Sequence, residues 1–196
     1  MLKLIQSLAL LGLFATTLGQ AHELTECDRL VAHPLDPERI TTGVPTSAVK
    51  HPEGIAACLA AVADDPDNPR LNYQLARVYY YDDQADKSMP YLEMAAAAGY
   101  RQAQFVLGFI LSITPAEDEQ ANRCRIEDLW LRSARAGRLA ALVSYPHHVV
   151  RGEFKGCKLQ ADKAEMLGFL ERTKKRKLSY YQQVLVGDLI EDVTNL

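Results

Sequence analysis

Four cysteines, Cys27, Cys58, Cys124 and Cys157, are the side chains best able to do chemistry in this 196-residue chain. Thiolates can hold a metal, cycle between redox states or cross-link the fold. A tetrahedral thiolate site draws on close Cys-x-x-Cys pairs, and no two of these cysteines are near neighbours. An even number in an exported chain instead reads as two disulfides, because oxidising compartments form and keep them. Of the three possible pairings, Cys27 with Cys58 and Cys124 with Cys157 is expected, since each is local in a stack of helices and leaves no long crossing.

Histidine and serine offer less. His147 and His148 follow Tyr145-Pro146, but adjacent residues of a helix point about 100° apart and do not easily share one ion. A surface or capping role is expected for both. His22, were it to become the amino terminus, could chelate copper through its amine and ring. That chemistry needs a second histidine held opposite on a rigid scaffold, and chain ends are usually mobile. Ser144 lies near the histidine pair, yet a nucleophile needs a base in reach and an oxyanion hole, and no Gly-x-Ser-x-Gly turn is present. No catalytic residue, metal or cofactor is expected.

Two stretches could bind rather than react. Tyr73 and Tyr80 share a helix face with Arg77, and Tyr and Arg dominate binding hot spots. Arg70, Tyr73, Gln74, Arg77 and Tyr80 are therefore expected to form a peptide or protein contact patch, or else ordinary amphipathic cover over the stack. The run Arg172-Thr173-Lys174-Lys175-Arg176-Lys177 is the densest charge block. It reads as a solvated link between the last two helices, or as a docking strip for an acidic partner or anionic envelope surface.

The elements that must position these residues are helices. The chain opens MLKLIQSLALLGLFATTLGQAHE: one lysine, a short Leu-rich core, then small and polar residues. That is the layout of a secretory leader, too short in its apolar part for a membrane span, and cleavage is expected after Ala21. Removing a leader that carries Lys3 and no acid takes the formal net charge from −3 to −4, a balance that gives no reason to expect nucleic acid as partner. A periplasmic or secreted location follows. Beyond it, ELTECDRLVAH forms a short helix, and residues 34–47, rich in Pro, Gly and Thr, form a loop. Residues 52–66 place Ile55, Cys58, Leu59 and Val62 at helical spacing. Asn68 caps the next helix with Pro69 at its first position, and Leu71, Leu75, Val78 and Tyr79 make its apolar face. Pro90 lies either in a first turn capped by Ser88 or in a helix, bent there, that began near Gln84. Five further helical patterns run to the end, and strand alternation is nowhere sustained. About eight or nine helices are expected.

Ala-Gly-x-x-x-Ala occurs twice, at Ala98 to Ala103 and at Ala136 to Ala141, offset by about 38 residues, a period typical of helical solenoids. Gly99 and Gly137 are expected to end a second helix, and the four alanines to keep side chains small where helices cross.

The string Lys87-Ser88-Met89-Pro90-Tyr91-Leu92-Glu93-Met94-Ala95-Ala96-Ala97-Ala98-Gly99, followed by Ala103, resembles the Sel1-like repeat, a relative of the tetratricopeptide repeat. A second copy matches at Leu129, Trp130, Ser133, Ala134, Gly137 and Ala141. Leu107-Gly108, and Leu75, Ala76 and Tyr79, resemble the family's first helix. A third copy begins at Asp162-Lys163-Ala164 and fades at Leu167-Gly168, where aromatics should stand. The resemblance implies an all-α solenoid of antiparallel helix pairs. Its expected division is a leader over 1–21, capping helices and a loop over 22–68, repeats over 69–175 with the last copy degenerate, and a C-terminal capping helix over 176–196. It also implies a non-enzymatic scaffold that binds a protein or peptide in the bacterial envelope. Two alternatives remain: a cell-wall or β-lactam hydrolase, and a structural or inhibitory subunit that contacts its partner through its caps.

Overall fold

The computed structural model describes residues 23–158 and 161–196; the expected leader, its cleavage bond and His22 lie outside them. Nine α-helices and no strand occur among the described residues. They are α1 (Glu26–Val31), α2 (His51–Asp64), α3 (Pro69–Tyr81), α4 (Ala85–Ala97), α5 (Arg101–Ile113), α6 (Glu119–Arg135), α7 (Leu139–Val150), α8 (Lys163–Lys174) and α9 (Tyr180–Thr194). The pairs α3/α4 and α5/α6 pack most extensively, and each later helix leans on the ones just before it.

Local chemistry sets most of the boundaries. Thr25 and Asp28 form a reciprocal capping box at the start of α1. The Asn68 side chain accepts hydrogen bonds from the backbone N–H groups of Arg70 and Leu71, with Pro69 just inside α3. Gly99 and Gly137 take φ of +88° and +82°. At each, paired hydrogen bonds close the helix: Tyr100 N to Ala95 O at 3.0 Å with Gly99 N to Ala96 O at 3.1 Å, and Arg138 N to Ser133 O at 3.1 Å with Gly137 N to Ala134 O at 2.8 Å. These are Schellman closures, which favour glycine because a Cβ is penalised at positive φ.

Two local expectations need correction, and the choice left open at Pro90 is decided. In α2 the buried stripe is Gly54, Cys58, Ala61 and Val62, whereas Leu59 is exposed. Gly54 decides this: a Cβ there would fall 2.9 Å from Val31, so α2 lies against α1 on its small-residue side. Ala98 and Ala136 sit on the exposed helix ends. The alanines buried where helices meet are Ala95, Ala96, Ala103, Ala134 and Ala141. Pro90 lies inside α4, whose N-cap is Gln84, so the second of its two expected placements holds and Ser88 is no cap; the buried Ser88 hydroxyl donates to Ala76 O of α3 at 2.7 Å.

The core is serial. Cys27, Val31, Cys58, Leu71 and Leu75 fill its first part, and Leu92, Ala95, Ala103 and Leu107 the second. Trp130, Leu142, Tyr145, Phe169 and Leu189 fill the third. Burying apolar surface mainly between neighbouring helix pairs is the solenoid mode of stabilisation. Gly108 allows one close approach within it. A Cβ there would stand 2.5 Å from the Trp130 indole nitrogen, which donates to Phe105 O at 3.1 Å.

Candidate functional site

Arg70 and Gln74 point away from any open face. The Asp28 carboxylate is fully buried and ion-paired with Arg70, and it accepts from Gln74 Nε2 at 2.9 Å. Its other oxygen accepts from Thr25 N at 2.9 Å and from Thr25 Oγ1 at 2.8 Å. One aspartate thus caps α1 and ties it to α3. The expected contact patch is split: Arg70 and Gln74 are committed to this network, because an unpaired carboxylate is costly in the interior.

Tyr73, Arg77 and Tyr80 instead line a cleft of about 480 Å³. Its walls come from α3, α4, α5 and the start of α7, together with His33 and Leu35 from the loop after α1. Most of the lining is apolar: Phe105, Val106, Phe109 and Ile110 from α5, and Leu92 from α4. Two guanidiniums interrupt it. Arg77 donates to Val31 O, to Val44 O at 2.8 Å and to Tyr81 Oη at 3.4 Å, which fastens the 32–45 loop against α3. Arg138 donates from Nε to Gln102 Oε1 at 2.7 Å and lies 4.6 Å from the Phe105 ring centre. Gln102 is fixed in turn by donating from Nε2 to Tyr73 Oη at 3.0 Å.

The loop is pinned from both sides. Buried Asp36 accepts from Tyr100 Oη at 2.6 Å and from Glu38 N at 2.9 Å, and burial pushes its carboxyl above the usual aspartate range. Burial, reinforced by the charges of Arg77, Arg138 and Arg39, brings the His33 pKa down to about 4. Its Nδ1 accepts from Leu35 N at 3.0 Å, a bond that needs the neutral ring. The cleft therefore carries the charge of its arginines and none from His33 near neutral pH.

Sequence reasoning missed Arg138, Gln102, Phe105 and Phe109. A signal for Arg138 was present: it follows Gly137 as Tyr100 follows Gly99. A buried arginine in the repeat position of a buried tyrosine has to be explained by its surroundings.

The remaining candidates are dispersed. His148 pairs with Glu153 and lies 4.5 Å from the Trp130 ring centre, while His147 is exposed. Ser144 makes no side-chain hydrogen bond to a histidine among the described residues. No group of three metal-ligating side chains occurs among those residues, and no described helix is long and apolar enough to cross a membrane. The basic run is not one uniform link. Arg172, itself exposed, is tethered by donating to Ala134 O at 3.0 Å, Thr173 is buried, and residues 174–177 are exposed. Cys27 is bonded to Cys58 at 1.95 Å and Cys124 to Cys157 at 2.04 Å, the expected pairs.

Helix pairs stacked in sequence, closed by repeated glycine caps and sharing a cleft built largely from their first helices, define an α-solenoid. Within that class the chain has the Sel1-repeat fold. It is similar to a solved Sel1 repeat protein from Oxalobacter formigenes, with a TM-score of 0.50 and 22% identity, over 65% of this chain and 93% of that one. No family model matches the sequence, and no curated protein does.

Proposed function

We propose that this chain is a non-enzymatic Sel1-like scaffold that is exported and holds a segment of a protein partner in the cleft between α3, α5 and α7. One observation carries the reading. An apolar cleft of about 480 Å³, a size typical of ligand sites, is lined by exposed Phe109 and by Arg138, whose two terminal nitrogens make no hydrogen bond to any described residue. In this reading residues 22–68 and 176–196 are caps and 69–175 the repeats. The leader-like stretch 1–21 and the two disulfides support passage to an oxidising compartment of the bacterial envelope.

A second reading places the contact on the C-terminal cap. On α9, Tyr180, Tyr181 and Leu185 are 74%, 78% and 65% exposed, next to the basic residues Lys174 to Lys177. One experiment separates the two. A photo-crosslinking residue is placed at Phe109, at Tyr181 or, as a control, at Met94 on exposed α4 surface, and the native envelope is irradiated. Adducts at Phe109 that disappear when Arg138 is also changed to Gln are the expected result. Adducts confined to Tyr181 would transfer the function to the cap.

A further inference from the structure

The class of occupant, an inference that rests on the scaffold reading, is set by the chemistry of the cleft. Arg138 is only 7% exposed, yet its hydrogen bonding uses Nε alone, and no carboxylate among the described residues lies within ion-pair reach of it. Burial lowers its pKa from the usual arginine range, and the through-space charge of Asp36, which is not in ion-pair contact, offsets only part of that. Arg138 is also the N-cap residue of α7, and no side chain caps that helix. Ala140, in the first turn of α7, lines the same cleft. The backbone N–H groups of a helix start carry partial positive charge and accept anions. A nearly buried guanidinium, whose two terminal nitrogens bond no described residue, and the uncapped helix start that follows it in the chain thus line the same cleft.

Beside that spot the wall is apolar. The Phe105 ring lies against the Arg138 guanidinium, and Val106, Phe109 and Ile110 follow along α5. An occupant must therefore present a carboxylate and a bulky apolar group within one residue of each other. The last residue of a polypeptide does this by construction, because its α-carboxylate and its side chain share one Cα. An internal Asp or Glu would match the arginine but would press its flanking peptide groups, unpaired, against the phenylalanines. We propose that the cleft captures the free C-terminus of a partner polypeptide, with the α-carboxylate on Arg138 and the α7 start, and an apolar last side chain against Phe105 and Phe109. Tyr73 and Gln102 act as positioning residues, Tyr73 fixing Gln102 and Gln102 fixing Arg138.

Two synthetic peptide pools test this. Both have randomised final residues and differ only in ending as a free acid or as an amide, and each is passed over the immobilised full chain. The acid pool should be retained about tenfold better than the amide pool, as loss of a charged hydrogen bond requires, with Leu, Ile, Val or Phe enriched at the last position. Arg138→Gln should erase the difference between acid and amide, and Arg138→Lys should restore part of it. Phe109→Asp, at a position 51% exposed and so tolerant of change, should remove the last-residue preference while leaving the thermal midpoint in place. Equal retention of both pools would overturn the terminal-carboxylate proposal and leave the scaffold reading standing. Retention of amidated peptides rich in Asp or Glu would overturn it in favour of a side-chain carboxylate. Retention of neither pool would overturn both.

Discussion

A fully buried aspartate is stable only while its partners stay in place. Asp28 depends on Arg70, Gln74 and Thr25, so removing the arginine should cost far more than the pair contributes. Arg70→Ala is expected to destabilise the fold by about 3–5 kcal/mol, the cost of stranding a buried charge, whereas Asp28→Asn with Arg70→Met should cost less. Urea melts of the two variants check the order. The sequence could show that Arg70, Tyr73, Gln74, Arg77 and Tyr80 fall on one broad face of a helix. It could not show that α1 would cover one side of it, because that depends on a contact 42 residues away in sequence, between Asp28 and Arg70. His33 adds a pH dependence of definite sign. Its folded pKa of about 4 lies below the ordinary histidine value of 6.5. The unfolded chain therefore binds more protons between those values, and the contribution of neutral His33, complete above pH 6.5, is lost as pH falls towards 4. Buried Asp36, with its raised pKa, acts in the opposite sense on acidification. The diagnostic is thus the difference between wild type and His33→Gln: the variant should lack the loss of stability between about pH 6.5 and pH 4, followed by thermal melts across that range.

At the scale of helices, two glycines that look alike in composition serve different purposes. Gly137 has φ of +82° and only one neighbour near the site of an added Cβ, the end of the Arg101 side chain at 3.8 Å. Gly137→Ala should therefore cost about 1–2 kcal/mol of backbone strain and no packing. Gly108 is helical, and its added Cβ would collide with the Trp130 indole. Gly108→Ala should cost about 1–3 kcal/mol by overpacking and should shift the emission of Trp130, the chain's single tryptophan; Gly137→Ala should leave that spectrum alone. The cap function was legible, since glycine after an Ala-rich run has few other uses. The helix count and most boundaries were legible for the same reason: Asn68, Pro69, Asp162 and Ser179 are local signals. The partner of each alanine was not. Ala98 and Ala103 share a motif, yet the turn at Gly99 leaves one exposed and buries the other.

Across the whole molecule, the two disulfides divide the labour between the ends of the stack. Cys27–Cys58 joins α1 to α2, and the loop that leaves α1 supplies His33 and Leu35 to the cleft. Cys124–Cys157 joins α6 to the turn after α7, on the side of Trp130 and Phe154. Removing a native disulfide from a small secreted domain costs about 2–5 kcal/mol. In a stack whose parts contact mainly their neighbours, that loss need not spread evenly. Cys27→Ser with Cys58→Ser should raise hydrogen exchange in α1, α2 and residues 32–45, and weaken binding at the cleft by loosening one wall. Cys124→Ser with Cys157→Ser should raise exchange around α6 and α7 and lower the transition seen by Trp130 emission, with a smaller effect on the cleft. In urea, the first variant should lose helix signal before Trp130 responds. Coincident transitions in both variants would mean that the stack unfolds as one cooperative unit, and that the N-terminal disulfide acts on the cleft only through global stability.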